Sequence, residues 1–203
     1  MTCVFKRTTH HHGDLKAELI SATRALVAEH GADAVSINQA ARQAGVSTAA
    51  PYKHFRDRDA LLTAVAFDCL GDMQDQTVAI LSGYSEGDLD GIIAISRNYI
   101  SYATQNPNVF KLMFSMTRSH AKDEELMERA PEGFRVVREA VGAFLGCPAD
   151  DKRAVDRSFM LWSFVHGLSF IIIDEKSDNV GQFLDVETIV PAAVRSLLLD
   201  PSA

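Results

Sequence analysis

Apolar residues recur along this chain at spacings of three and four, the period of a helix face. Leu15, Leu19, Ala22, Thr23, Leu26 and Val27 form the first such face, and Gly31 is placed to end it in a left-handed cap. Ser36-Ile37-Asn38-Gln39 has the hydroxyl and the Gln three residues later that make a capping box. It predicts a short helix to Ala44, with a tight turn at Gly45. Ser47 offers a second N-cap, for a helix through about Phe55, and Asp57 a third, for a helix from Arg58 to about Leu81. Ser82 to Gly91 is rich in Ser, Gly and Asp and predicts a loop. Helices follow over Ile92–Thr104 and, after Asn106-Pro107, over Val109–Met116. Ser119 to Glu125 is polar and expected to be exposed. Pro131 and Gly133 are expected to divide Leu126–Glu128 from the amphipathic run Phe134, Val137, Val141, Phe144 and Leu145. Asp150 to about Glu175 predicts one long helix, and Ser177 to Phe183 a loop. Val186, Ile189, Val190, Ala193, Val194, Leu197 and Leu198 form a final stripe, with Pro191 inside it to kink it or mark its start. No alternating strand pattern and no internal repeat occurs, so the predicted fold class is all-α.

Composition narrows the class. The 203 residues suit one large domain or two small ones sharing a core. With 47% hydrophobic and 23% charged residues, the chain is globular rather than disordered. The most apolar stretch, Phe159 to Ile173, is interrupted by Ser163, His166, Gly167 and Ser169, so no membrane span is expected. The N-terminus has no apolar segment with a cleavage site, so export is not expected. Cys3, Cys69 and Cys147 are odd in number and far apart, which fits a reducing cytoplasm and neither a disulfide framework nor a metal pattern.

Net charge is −7, yet it is unevenly spread. Residues 1–58 carry eight Lys and Arg against five acids, net +3; the rest carries twelve against twenty-two, net −10. A basic head on an acidic body suggests that the head binds an anion.

The segment Ser36 to Leu62 is the most informative. Two short helices joined through Gly45 satisfy the helix-turn-helix description. The second carries Ser47, Thr48, Ala49, Ala50, Tyr52, Lys53 and His54. Small residues at its start allow close approach to base edges, and hydroxyls, Tyr52, Lys53 and His54 can contact phosphates. Pro51 falls in or just after its first turn, where a missing N–H costs little. The same residues could instead be the solvent face of an ordinary helical hairpin.

Ser36-Ile-Asn-Gln-Ala-Ala-Arg-Gln-Ala-Gly-Val-Ser47, then Tyr52-Lys-His-Phe55 and Asp59-Ala-Leu-Leu62, resembles the N-terminal domain of TetR/AcrR-type repressors. The resemblance implies a three-helix DNA-binding domain joined by a connector helix to a helical ligand-binding and dimerisation domain. The corresponding boundaries are 1–58 and 59–203. It implies a cytoplasmic homodimer that controls transcription on double-stranded operator DNA in response to a small-molecule effector. Ser36, Asn38 and Gln39 would then lie near the DNA backbone. Ser47, Thr48 and Ala49 would face bases, Tyr52 and His54 would bind phosphate, and Arg58, where the family often has Lys, would also touch phosphate. A narrower resemblance rests on His11-His12-Gly13-Asp14-Leu15, Ala49-Ala50-Pro51-Tyr52, Asn106-Pro-Asn-Val-Phe-Lys-Leu-Met-Phe114 and Trp162-Ser-Phe-Val-His166-Gly167. These resemble a subgroup with a Trp-x-x-x-His-Gly C-terminal domain. His10-His11-His12, with Lys6 and Arg7, reads as an arm near DNA or as a disordered tail. Adjacent histidines on such an arm make poor metal geometry.

In the body, Tyr99, Tyr102, Phe110, Met113, Phe114, Phe134, Trp162, His166 and Phe170 are the candidate ligand-binding residues. Phe159, Trp162, His166 and Phe170 share one helix face by their spacing. A pocket so lined would take a largely apolar molecule, with His166, Trp162 or a Tyr hydroxyl holding its polar end. The alternative is an aromatic core without a cavity, with His166 bonding a backbone carbonyl at a close helix contact made possible by Gly167. Leu161, Val165, Leu168 and Ile172 form a second apolar face on the same helix, expected to pack on a second subunit together with the final stripe. No Gly-rich phosphate loop, Gly-x-Ser-x-Gly, Cys-x-x-Cys or His-Glu-x-x-His occurs, so no enzyme, cofactor or metal site is expected. The alternative function is a helical adaptor of the same fold without a specific operator.

Overall fold

The computed structural model describes residues 15–115, 124–174 and 185–199, with backbone alone over 124–133. The His10–His12 arm, Met116, the polar segment from Ser119 and the Ser177–Phe183 loop lie outside the described residues. Eight α-helices are present among the described residues: α1 Leu15–His30, α2 Ile37–Gln43, α3 Arg58–Leu81, α4 Leu89–Gln105, α5 Pro107–Ser115, α6 Glu124–Leu145, α7 Lys152–Ile173 and α8 Val186–Leu199. Short 3-10 turns occupy Ala32–Ala34 and Pro51–Lys53, and no strand occurs among the described residues. The all-α expectation holds.

Local chemistry sets the head's boundaries. The capping box forms as its residues dictate: Gln39 N–H donates to the Ser36 hydroxyl at 3.3 Å, and Ser36 N–H to Gln39 Oε1 at 2.8 Å. At the far end of α2, Val46 N–H reaches the Ala41 carbonyl and Gly45 N–H the Arg42 carbonyl. That pair is a Schellman motif, and Gly45 supplies its left-handed residue at φ +70°. Asp57 accepts from Ala60 N–H and starts α3.

Between them the helix expected over Ser47–Phe55 is not formed. A turn at Ser47–Ala50 leads instead into the 3-10 turn Pro51–Lys53. Continuation of an α-helix would need residue 51 to donate to the Ser47 carbonyl, and Pro51 has no N–H. The Ser47 carbonyl takes Ala50 N–H instead, at 3.0 Å.

Of two other prolines, Pro131 does not divide its segment as expected, and Pro191 lies within the last helix rather than at its start. Helix α6 runs unbroken through Pro131 and Gly133. Helix α8 contains Pro191, beginning five residues ahead of it. Pro191 cannot donate to the Glu187 carbonyl, and the Arg97 guanidinium on α4 fills that vacancy at 2.9 Å while also pairing with the Glu187 carboxylate. A proline that costs one helical bond is thus offset by a tertiary one.

Three apolar clusters hold the chain together. Leu19, Ile37, Ala40, Phe55 and Leu61 form the core of the head. Ile92, Ile100, Val141, Leu161, Val165, Leu168, Val190 and Val194 form that of the body. A third joins the two: Val27 and Val35 pack with Val65, Cys69, Tyr102, Val109 and Phe110. Leu161, Val165 and Leu168 are therefore buried within the protomer, against α4 and α8, and not on the face left for a partner. Away from the cavity-lining Phe159, which is also exposed, α7 leaves open a different stripe, Met160, Ser163 and Ile171, around Gly167. A methyl group added at Gly167 would meet nothing within 4 Å, so no close helix contact occurs there.

Candidate DNA interface and ligand cavity

In the head, Ser36, Asn38, Ser47, Thr48, Ala49, Tyr52, Lys53 and His54 are all exposed. Phe55 between them and α3 is buried in the head core, and Pro51 is buried as well. These two anchors hold the short turns outward, so that Tyr52 stands 57% exposed with its ring available for contact. Gln39 is half-buried and its carbonyl is engaged by Ser36. Arg58 is turned to the protein's own backbone. Its Nε donates to the Val35 carbonyl at 2.7 Å and its terminal nitrogens to the Ala32 carbonyl and the Asp59 carboxylate. These bonds tie the Ala32–Ala34 turn to the start of α3. Arg56, absent from the sequence candidates, is the more exposed cation, and its Nε donates to the carboxylate of its neighbour Asp57 at 2.7 Å. Its place directly after Phe55 in the turn was the available signal.

A cavity of about 900 Å3 lies between α3, α4, α6 and α7, with Lys16 and Ile20 of α1 and Phe114 of α5 also in its lining, within the size range of small-molecule sites. Of the nine candidates, Tyr99, Phe114, Phe134 and Trp162 line it. The other five do not. Tyr102, Phe110 and Met113 are buried in the cluster that joins head to body, and Phe170 packs against that cluster. His166 lies behind the wall. Its ring stacks on Trp162 at 4.9 Å and meets the Phe114, Phe110 and Phe170 rings at 4.6, 5.8 and 5.0 Å. Its Nδ1 lies 2.9 Å from the Tyr99 hydroxyl, so a side chain and not a backbone carbonyl is its partner.

The protonation states follow from burial. Burial raises the Tyr99 phenol well above its usual value, with Trp162 acting on the same hydroxyl in the opposite sense. Burial also lowers the His166 imidazole. Lowering of the imidazole favours a neutral His166, whose Nδ1 shares a hydrogen bond with the Tyr99 hydroxyl. The sequence pointed to the aromatic wall but missed the wall opposite. Helix α3 contributes Phe67, Leu70 and Met73, and three carboxylates, Asp68, Asp72 and Asp75. Their spacing of four and three places those carboxylates on one helix face, a signal legible in the sequence.

Helix α5 links cavity and head. Phe114 faces the cavity, Phe110 touches His166, and Asn108 donates to the Ala28 carbonyl near the end of α1 at 3.0 Å. That carbonyl has no partner within its own helix.

Two family models match this chain. "Bacterial regulatory proteins, tetR family" covers residues 19–65, the helix-turn-helix head. "Tetracyclin repressor-like, C-terminal domain" covers residues 92–197, from α4 into α8, which include the aromatic wall of the cavity but not its α3 wall. The chain belongs to the TetR family of helix-turn-helix transcriptional regulators. Among its relatives is the HTH-type transcriptional regulator Rv1816 of Mycobacterium tuberculosis, 25% identical, with 82% of this chain and 83% of that protein covered. A protein of unknown function from Rhodococcus sp. RHA1 has the same fold, with a TM-score of 0.76, 24% identity, and 95% and 98% of the two chains covered. The regulator FadR of Bacillus subtilis, solved in complex with stearoyl-CoA, matches with a TM-score of 0.64 at 14% identity over 90% and 97% of the chains.

Proposed function

We propose that this protein is a homodimeric repressor that binds a palindromic operator and is released by a small, largely apolar ligand. Residues 1–58 serve as the DNA-binding head and 59–203 as the ligand-binding and dimerisation body. The observation that carries the reading is the joining of two features by one chain of contacts. The exposed run of polar and small residues from Ser47 to His54 is anchored on a core that continues, through α1 and α5, into the aromatic wall of a cavity. FadR of Bacillus subtilis, solved in complex with stearoyl-CoA, supports the view that this fold accepts a ligand with a long apolar chain.

Exposed Met160 and Ile171 on α7, with Ile189 and Leu199 on α8, supply the apolar faces a second copy would cover. A two-fold dimer sets the two heads into successive major grooves, ~34–36 Å apart. Phosphate contacts from the basic heads make affinity fall with salt. A ligand that prefers the cavity of the non-binding arrangement shifts α5 and α3, and hence the spacing of the heads, with a coupling of about 1–3 kcal/mol.

The test is in vitro selection of DNA fragments by the full protein, with a Tyr52→Ala/His54→Ala control. Enrichment of a palindrome that the control does not bind is the expected result. No enrichment by folded, dimeric protein refolded free of ligand would make the chain an adaptor of the same fold.

A further inference from the structure

We propose that Arg56 binds a DNA phosphate, from its place beside the Ser47–His54 run and just ahead of α3. This deepens the DNA-binding reading above and rests on it.

The two arginines that flank Asp57 are held in opposite ways. Arg58, in the first turn of α3, is engaged by the protein: Nε and one terminal nitrogen donate to the Val35 and Ala32 carbonyls, and the other terminal nitrogen to Asp59. The Arg56 side chain is 81% exposed, against 38% for Arg58. Its Nε donates to Asp57 Oδ2 at 2.7 Å, and its guanidinium makes no other hydrogen bond with a described residue. One bond at Nε orients the guanidinium and leaves both terminal amino groups to solvent. Those two groups are the fork that grips a phosphate through paired N–H donors.

Asp57 can hold Arg56 because its own place is fixed. Its backbone is extended, at φ −154° and ψ 179°, and its Oδ1 caps α3 by accepting Ala60 N–H at 2.8 Å. The carboxylate therefore divides its charge between the guanidinium and the positive N-terminus of the helix, and the arginine still presents a cation outward.

The position follows from the chain. Phe55 is buried in the head core, while its neighbours His54 and Arg56 are both exposed. Two residues span at most about 7 Å. A groove that receives Tyr52, Lys53 and His54 thus lies within reach of the Arg56 side chain, and the anions along its edge are backbone phosphates. Such a contact positions the head without reading sequence.

For that reason the test needs no particular operator. Full-length protein is titrated onto a fluorescently labelled duplex of mixed sequence, with binding followed by anisotropy over a range of salt concentrations. Circular dichroism checks that each variant is folded. Arg56→Gln should weaken binding about tenfold at low salt. It should also lower the slope of log affinity against log salt by about 1 for each head engaged. Arg56→Lys should restore the slope, because its charge still displaces counterions, but recover only part of the affinity, because an ammonium lacks the fork. Arg195→Gln removes the same charge from α8 in the body, where Arg195 pairs with Asp90, and should leave the slope unchanged. A slope untouched by Arg56→Gln overturns the inference. An equal fall in Arg195→Gln overturns it too, since net charge alone would then be at work. The parent tells the two failures apart. If it binds the duplex with a salt dependence that Arg56→Gln does not alter, only the Arg56 assignment falls; if it binds no duplex at all, the DNA-binding reading falls with it.

Discussion

The hydroxyl of Tyr99 on α4 lies 2.9 Å from Nδ1 of His166 on α7, and this bond ties the cavity wall to the residue behind it. Both partners are half-buried, so the cost of losing the bond depends on whether water from the cavity replaces it. Tyr99→Phe keeps the ring and removes the bond. Deleting one partner of such a pair costs about 1 kcal/mol, and up to about 3 kcal/mol if the imidazole nitrogen finds no water. Urea denaturation of the variant should show the midpoint shifted down with an unchanged slope.

Burial holds the His166 imidazole below its ordinary value of 6.5. The unfolded chain therefore takes up this proton at higher pH than the folded one. Its contribution to stability is full above 6.5 and is lost as pH falls from there toward the folded value. His166→Gln keeps a hydrogen-bonding group that does not titrate. Its stability should accordingly change less between pH 7.5 and 5.5 than that of the parent, whatever its absolute value. An equal slope would mean that His166 is not shifted.

Gly45 and Gly87 both have positive φ, +70° and +71°, but different surroundings. A Cβ at Gly45 meets nothing within 4 Å, so Gly45→Ala should cost about 1 kcal/mol, the left-handed backbone penalty alone. A Cβ at Gly87 would sit 2.8 Å from the Ala143 carbonyl carbon, which is backbone and cannot swing away. Gly87→Ala should be clearly the more destabilising of the two by chemical denaturation. Equal costs would show that the α6 end gives way freely.

In the head, Lys53 is exposed beside Tyr52 and His54. A phosphate contact there predicts that Lys53→Ala lowers the slope of log affinity against log salt by about 1, and weakens binding evenly across operator variants. An unchanged slope in a salt titration would remove Lys53 from the interface.

Ile171 is 41% exposed on the α7 face assigned to a second copy. Ile171→Glu should give a monomer by sedimentation at concentrations where the parent is dimeric. Val78→Glu, at a position 48% exposed on α3, should leave the dimer intact. Loss of dimer in both variants would point to general destabilisation.

Much of this protein is local and was therefore legible in its sequence. The capping box at Ser36, the left-handed turn at Gly45 and the N-cap at Asp57 each depend on residues within five positions, so composition dictates them directly. The exposed residues of the head follow from the same local order. What lay beyond reach were decisions made by distant partners. Arg97, ninety residues before Glu187, supplies the bond that Pro191 removes within α8, a partner that no local pattern names. Leu161 and Val165 look identical in sequence to a dimer stripe, and only the packing of α4 and α8 on them shows that they are core. The nine aromatic and sulfur candidates share one chemistry, so sequence could not separate the four that line the cavity from the five that fill space around it. Helical period says which residues share a face; which faces meet, and where a gap is left between them, is settled only when all the helices pack at once.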